Sequence, residues 1–495
     1  MFRLFRKEFP LGESVREKAA VGMIWQLLER FGARGVSLVV TIVLARLLDP
    51  EVYGLVAMAT VFTGLLEPLI NSGMSNRLIQ KKDADDVDFS SYFYFNMLMS
   101  VLIYCVVFFG APFVAGFYNT QALTAIIRVI GLNVLVYGVK AVQSAYVSRN
   151  MLFRKFFYAT SFGTILAAVM GILLAYNGFG VWALVLQQLT NNLVDTIVLW
   201  IVVDWRPKRV FSLHKLLDLL SFGWKFLVIN ITNTIVDKIR ALVIGKVYSA
   251  KDLAYYDKGN LFPDTLTSSI EAAVNAVILP SLSSEQDNKT NLKQMLRRSI
   301  RISMYVLSPI NFGLIACAKP LVSLVLTDKW LPCLPFMYIF CIRNNFTAIN
   351  VLNQNVYTAT GRSGLYLKID FIKKGINIIL LVVCMYFGGI MGIAFSILLS
   401  TLAYIIVNTM QIKKDLDYGL FEQLKDIIPN VLLAVFMMIP VYAVQFLRLN
   451  NMITLDLQVS LGVIIYVVLS VVVKNDSYIY IYDMLRSRIC KQQRG

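Results

Sequence analysis

Apolar residues fall in runs of about twenty, the length of helix that crosses a hydrocarbon core of about 30 Å. Fourteen such runs can be drawn, at 21–45, 54–76, 92–114, 122–143, 156–176, 181–203, 220–246, 257–281, 300–326, 331–357, 369–388, 390–411, 427–447 and 453–473. Lipid offers a backbone no hydrogen-bond partner, so each run is predicted to be a helix. The pattern predicts an all-α polytopic membrane protein of about 14 transmembrane helices.

Polar positions inside five runs recur at helical spacing, which puts them on single faces. The first run carries Gln26, Arg30, Arg34, Ser37 and Thr41, and the second Glu67, Asn71 and Ser75. The seventh carries Asn230, Asn233, Thr234 and Asp237, flanked by Lys238 and Arg240. The eighth carries Asp264, Ser268, Glu271 and Asn275, and the tenth Arg343, Thr347, Asn350 and Gln354. Five helices with one wet face each imply a central aqueous cavity between two bundles.

Charge supplies the orientation. Of the 47 Lys and Arg, 32 fall in the N-terminal segment, the even-numbered loops and the tail, against 6 in the odd-numbered loops. By the positive-inside rule both termini are cytoplasmic. Topology thereby accounts for the net charge of +17, and no nucleic-acid partner is needed to explain it. The six cysteines are scattered without metal-type pairing, and the single histidine, His214, lies in a cytoplasmic loop. No cofactor or metal is expected.

The expected organisation is a cytoplasmic N-terminal segment (1–20), a six-helix bundle (21–203), a cytoplasmic linker (204–219), a second six-helix bundle (220–411), two additional C-terminal helices (427–473) and a basic tail (474–495). A weak repeat at an offset of 200 residues supports two parallel units. Residues 44–54 align with 244–254, and 74–79 with 274–279, in charge, small-residue and apolar positions. Both copies begin on the same side, as in transporters that rock two bundles about a central site.

Nine cations stay inside the runs: Arg30, Arg34, Arg128, Lys140, Lys225, Lys238, Arg240, Lys319 and Arg343. Six acids accompany them: Glu29, Glu67, Asp195, Asp237, Asp264 and Glu271. A charge at mid-bilayer costs about 2.5–3.5 kcal/mol on insertion scales, so these groups must pair or face water. Lys140, Lys225 and Lys319 lie near run ends, where they can snorkel to the surface. The cationic excess suits a phosphorylated substrate, with Arg30, Arg34, Arg128, Lys238, Arg240 and Arg343 meeting phosphate and Asn230, Asn350 and Gln354 meeting sugar hydroxyls. Glu67, Asp237, Asp264 and Glu271 are candidates for H⁺ or Na⁺ coupling, or for neutralising arginines, as Glu67 would Arg34. The one acidic loop cluster, Asp83, Asp85, Asp86 and Asp88, stands beside Lys81 and Lys82 and reads as a solvated face.

Leu44–Met58 (LARLLDPEVYGLVAM), Gly73–Gln80 (GMSNRLIQ), Ile244–Asp257 (IGKVYSAKDLAYYD) and Ile278–Ser283 (ILPSLS) resemble the signatures of Wzx-type polysaccharide flippases. These form a branch of the multidrug/oligosaccharidyl-lipid/polysaccharide exporter superfamily. Ser249 and Ala254 stand where that family often has Gly. The resemblance implies a V-shaped pair of bundles in the bacterial inner membrane. It implies alternating-access transfer of undecaprenyl-pyrophosphate-linked oligosaccharide, with the last two helices flanking a groove for the lipid tail. Membrane lipids, a polysaccharide polymerase and a chain-length regulator would be its partners, and Arg30, Arg34, Arg240 and Arg343 match the family's phosphate-facing cations by position. A cation-coupled multidrug exporter of the same fold and a membrane polymerase or glycosyltransferase remain the alternatives.

Overall fold

The computed structural model describes residues 35–71, 73–81, 83–285 and 288–480, with the isolated positions 25, 32, 482 and 483. Among these the regular structure is helical, without strands. The helices are α1 (Gly35–Leu47), α2 (Pro50–Asn71), α3 (Met74–Gln80), α4 (Asp86–Phe117), α5 (Ala122–Arg149), α6 (Phe153–Tyr176) and α7 (Val181–Val202). They continue with α8 (Leu213–Val247), α9 (Ala250–Ser284), α10 (Lys289–Val325), α11 (Leu334–Ala359), α12 (Ser363–Leu416), α13 (Leu420–Ala443) and α14 (Asn451–Val472). Helix occupies each expected run, the first from residue 35 onward.

By length and apolarity eight of these helical stretches can cross a membrane, or nine if the bent α8, whose halves Leu213–Ser221 and Phe226–Val247 meet at 53°, is one span. The helices α7, α9 and α11 fall outside that set. The chain is a multi-pass membrane protein.

The runs 369–388 and 390–411 appear as the continuous α12, broken at Gly389, whose φ of 56° and ψ of −139° leave helical space. A straight helix would put residues 27 apart about 40 Å from each other, yet Asn377 Nδ2 donates to the Tyr404 hydroxyl at 2.8 Å. The two halves therefore fold back on each other about Gly389. A positive φ there explains why this hairpin turns on glycine.

The described residues up to Ala254 form one compact unit and those from Tyr255 a second. In the first, α6 buries Ala159, Gly163, Ala167 and Gly171, one small residue per turn, and packs closely on α7. A Cβ at Gly163 would stand 2.9 Å from the Asn191 carbonyl oxygen and 3.2 Å from Asp195 Cβ. Small residues let helix backbones approach where lipid supplies no hydrophobic drive. This contact sets the depth at which α7 presents its polar side.

The acidic loop cluster differs from the expected solvated face. Asp85 caps α4 by accepting from the backbone of Val87 and Asp88, and the Asp88 side chain accepts from the Asp85 N–H, a reciprocal capping box. Asp88 is fully buried and pairs with Lys81 at 2.7 Å. Asp86 accepts from Trp205 Nε1 at 3.0 Å and pairs with Lys208. The charges pin the 203–215 connection to the start of α4. A hydrogen bond from Lys215 holds the Asp85 carboxyl below the usual carboxylate range.

In the second unit, Asp426 on α13 is buried and receives Arg297 Nε at 2.7 Å, Arg297 Nη2 at 2.9 Å, Arg301 Nε at 2.9 Å and the Tyr418 hydroxyl at 2.8 Å. This clasp ties α13 to α10. Lys373 and Lys374, which are not among the nine span cations, lie buried within α12. Lys374 pairs with Asp370 one turn earlier at 2.7 Å. Lys258, also outside those nine, is likewise buried in α9, 5.7 Å from the centre of the Trp330 ring.

Two outcomes follow. Gly163→Leu should force α6 off α7 and cost about 1–3 kcal/mol, read as a lower unfolding temperature of the detergent-purified protein, whereas Leu at the exposed Gly116 should not. Asp85→Ala should cost about 0.5–2 kcal/mol near neutral pH. Because folding lowers the Asp85 pKa, that contribution is full above the unfolded value of about 4 and is lost as pH falls toward the folded one. The gap between wild type and Asp85→Ala should accordingly narrow in unfolding scans below about pH 4.

Candidate functional site

The described part of the first unit holds a cavity of about 710 Å³ walled by α2, α5, α7 and α8. From α2 come Thr60, Thr63, Gly64, Glu67 and Pro68; from α8 come Asn230, Asn233, Thr234, Asp237 and Lys238. Of these, Glu67, Asn230, Asn233, Thr234, Asp237 and Lys238 are polar positions expected from the sequence, whereas Ser75 of the Glu67 stripe does not line the cavity. The rest of the polar wall, Asn133 and Tyr137 on α5 and Gln188, Asn191 and Asn192 on α7, was not singled out from the sequence. The signal was present: 133, 137 and 140, and 188, 191, 192 and 195, recur at helical steps.

Two interactions build this wall. Asn192 Nδ2 donates to Asn133 Oδ1 at 2.9 Å and to the Tyr137 hydroxyl at 3.2 Å. One turn along, Lys140 pairs with Asp195. Lys140 therefore does not snorkel, as its place near a run end suggested; its charge is answered across the α5–α7 contact. Glu67 lies in the field of both Lys140 and Lys238, and Lys238 Cε lies 3.6 Å from where a Gly64 side chain would begin. The described lining thus sets two carboxylates, Glu67 and Asp237, against one ammonium, Lys238, amid six carboxamides and four hydroxyls. Carboxamides and hydroxyls both donate and accept, which suits them to sugar hydroxyls.

The other predicted residues are distributed as follows. Arg30 and Arg34 lie outside the described residues. Arg128 on α5 turns to α4, where its Nε donates to the Phe108 carbonyl at 3.2 Å and its guanidinium lies 4.2 Å from the Phe108 ring centre. Arg240 is buried. In the second unit, Glu271 on α9 sits in the fields of Arg343 on α11 and of Asp264. Glu271 and Asn275 line a small crevice with Ser303, and Asp264 is exposed. Arg343 Nη1 donates to Asn344 Oδ1 at 2.9 Å. Asn350 is occupied by packing: its Nδ2 donates to the Thr401 carbonyl at 3.1 Å and its Oδ1 accepts from Asn408 at 2.9 Å. Gln354 is half-buried on the same helix.

This order of helices recurs in solved structures. The chain superposes on the lipid II flippase MurJ, inward closed, with a TM-score of 0.78 at 15% identity over 92% of this chain and 99% of that one. It superposes on an inward-facing multidrug resistance MATE family transporter with 0.60 at 14% identity, over 77% and 94%. A family model described as polysaccharide biosynthesis protein matches residues 43–335, and the chain belongs to that family. The succinoglycan biosynthesis transport protein ExoT of Rhizobium meliloti (strain 1021) is 26% identical over 306 residues, 62% of each chain. The teichuronic acid biosynthesis protein TuaB of Bacillus subtilis (strain 168) is 23% identical, over 62% of this chain and 63% of the relative. The chain thus spans a little under two thirds of these two relatives. The lipopolysaccharide biosynthesis protein WzxC of Escherichia coli (strain K12) is 21% identical over 403 residues, 80% of each. The resemblance carried by Leu44–Met58 and its companion motifs is borne out by this family match.

Lys140→Met should strand the Asp195 carboxylate and cost about 3–5 kcal/mol, read as lost folded yield and a lower unfolding temperature in detergent. Lys140→Met combined with Asp195→Leu should recover most of it. Equal losses in the single and double variants would sink the pairing.

Proposed function

We propose that this protein flips undecaprenyl-pyrophosphate-linked oligosaccharide repeat units across the cytoplasmic membrane by alternating access, for O-antigen, capsule or exopolysaccharide synthesis. The observation that carries this reading is a carboxamide- and hydroxyl-walled cavity inside a membrane-embedded unit of a chain from a polysaccharide biosynthesis family. A polar head-group needs such a path because a sugar moved through hydrocarbon without partners loses hydrogen bonds worth several kcal/mol. The fold shared with a lipid II flippase supports a lipid-linked cargo.

In this reading the repeat unit lies against Asn133, Gln188, Asn192 and Asn230, with Lys238 toward the phosphate. Arg30, Arg34, Arg240 and Arg343 are further phosphate candidates, Gln354 a further hydroxyl candidate, and Glu67, Asp237, Asp264 and Glu271 candidate H⁺ or Na⁺ sites. The termini face the cytoplasm, and a polymerase and chain-length regulator receive the product. Two carboxylates against one lysine in the described lining favour a second reading, a cation-coupled exporter of cationic drugs.

Deletion of the gene should abolish surface polysaccharide and accumulate the lipid-linked repeat unit, with drug susceptibility unchanged. Glu67→Gln and Lys238→Gln, at normal protein levels, should each lower export about tenfold or more, the effect of losing one charge-assisted contact of about 1.5–3 kcal/mol. Normal polysaccharide together with drug hypersensitivity would replace the first reading by the second.

A further inference from the structure

The second unit holds a basic pocket that the proposed transport path does not use. It has a volume of about 350 Å³ and is lined by Arg297, Arg298 and Arg301 of α10 and by Asp476, Ser477 and Tyr480 just beyond α14. From the contacts on the page we infer that this pocket binds the phosphate of an anionic phospholipid of the surrounding leaflet.

The three guanidiniums are not equivalent. Arg297 and Arg301 are held from behind by the buried Asp426, two donors of each on one carboxylate. Arg301 Nη1 reaches outward to Asp476 Oδ2 at 3.2 Å, and that carboxylate is largely exposed. Arg298 has no hydrogen-bond or ion-pair partner among the described residues. Its guanidinium instead lies over the Tyr480 ring, 4.7 Å from the ring centre, a cation–π contact that leaves its N–H donors unengaged by any described acceptor. Counting Asp426 and Asp476, the group keeps one net positive charge, located on the one arginine that no carboxylate engages. Planar guanidinium forks with free edges match a phosphate diester.

Depth selects a lipid over a soluble anion. α10 has 37 residues, about 55 Å at 1.5 Å per residue, well beyond a hydrocarbon core of about 30 Å. From Arg301 to Val325 it runs about 36 Å, so the arginines stand at the boundary where head-group phosphates lie. The pocket's other wall continues directly from the end of α14, where Val467, Val468, Val471 and Val472 are all exposed. This apolar surface is placed to receive acyl chains while Arg298 holds the phosphate. Basic pockets of this kind between membrane helices are suited to acidic head-groups.

The test uses the full-length protein in vesicles of phosphatidylcholine containing spin-labelled phosphatidylglycerol or spin-labelled phosphatidylcholine. Wild type should immobilise the anionic probe in preference to the zwitterionic one. Arg298→Gln, a change at an exposed side chain outside the Asp426 clasp, should reduce that preference about fivefold, and Arg298→Lys should restore part of it. Equal immobilisation of both probes, or an unchanged preference in Arg298→Gln, overturns the inference. Displacement by millimolar inorganic phosphate would assign a soluble anion instead, and displacement by polyprenyl pyrophosphate at matched mole fraction would assign the transported lipid. Either result overturns the phospholipid.

Discussion

Inside the hydrocarbon layer a polar group has no water to fall back on, and most of this structure is a consequence of that deficit. An unanswered donor or acceptor there costs several kcal/mol. The chain therefore brings helices close enough for side chains to answer one another. The small-residue face of α6, Ala159 to Gly171, permits that closeness on one side of α7. Beside that contact α7 can then hold Asn192 to Asn133 and Tyr137, and Asp195 to Lys140. The same logic joins α11 to α12 through Asn350 and Asn408, and α13 to α10 through Asp426.

Polar residues in the spans thus divide into those consumed by neighbours and those left facing the cavity. The division separates most of the scaffold from the site, while Asn133, Tyr137 and Asn192, bonded to one another and lining the cavity, belong to both. Asp195 and Lys140 belong to the scaffold although both are charged, while the uncharged Asn230, Asn233 and Thr234 belong to the cavity wall.

The sequence made the helices legible because a run of twenty apolar residues has few other fates. The α2 and α8 faces of the cavity were legible for a similar reason, since Glu67, Asn230, Asn233 and Asp237 recur at helical spacing. A polar stripe does not disclose what it faces, however. The stripe that contains Asn350 has the same period whether it lines water or meets Thr401 and Asn408, so the occupation of Asn350 by packing could not be read from spacing. Charge was a poor guide to the α5 and α7 walls, because attention to Lys140 and Asp195 passes over the carboxamides one turn away. The acidic cluster at 83–88 misled for the opposite reason. Aspartates beside lysines look solvated, yet a capping box and a buried partner for Lys81 need that composition too.

A wall of carboxamides also bears on how a transporter lets go. Each neutral hydrogen bond exchanged with water is worth only about 0.5–1.5 kcal/mol net. Several of them around a sugar hold it in register without a deep energy well. A cavity built from desolvated arginine–phosphate pairs alone would grip far more tightly and release more slowly, since affinity differences between related complexes reside mostly in the dissociation rate. With Glu67 in the field of Lys238, the lysine's charge is partly answered before any anion arrives. An incoming phosphate must compete with a resident carboxylate, which lowers its net gain and keeps binding reversible from either side of the membrane. On the proposed reading, the acid beside the base is what allows the same cavity to load and to empty.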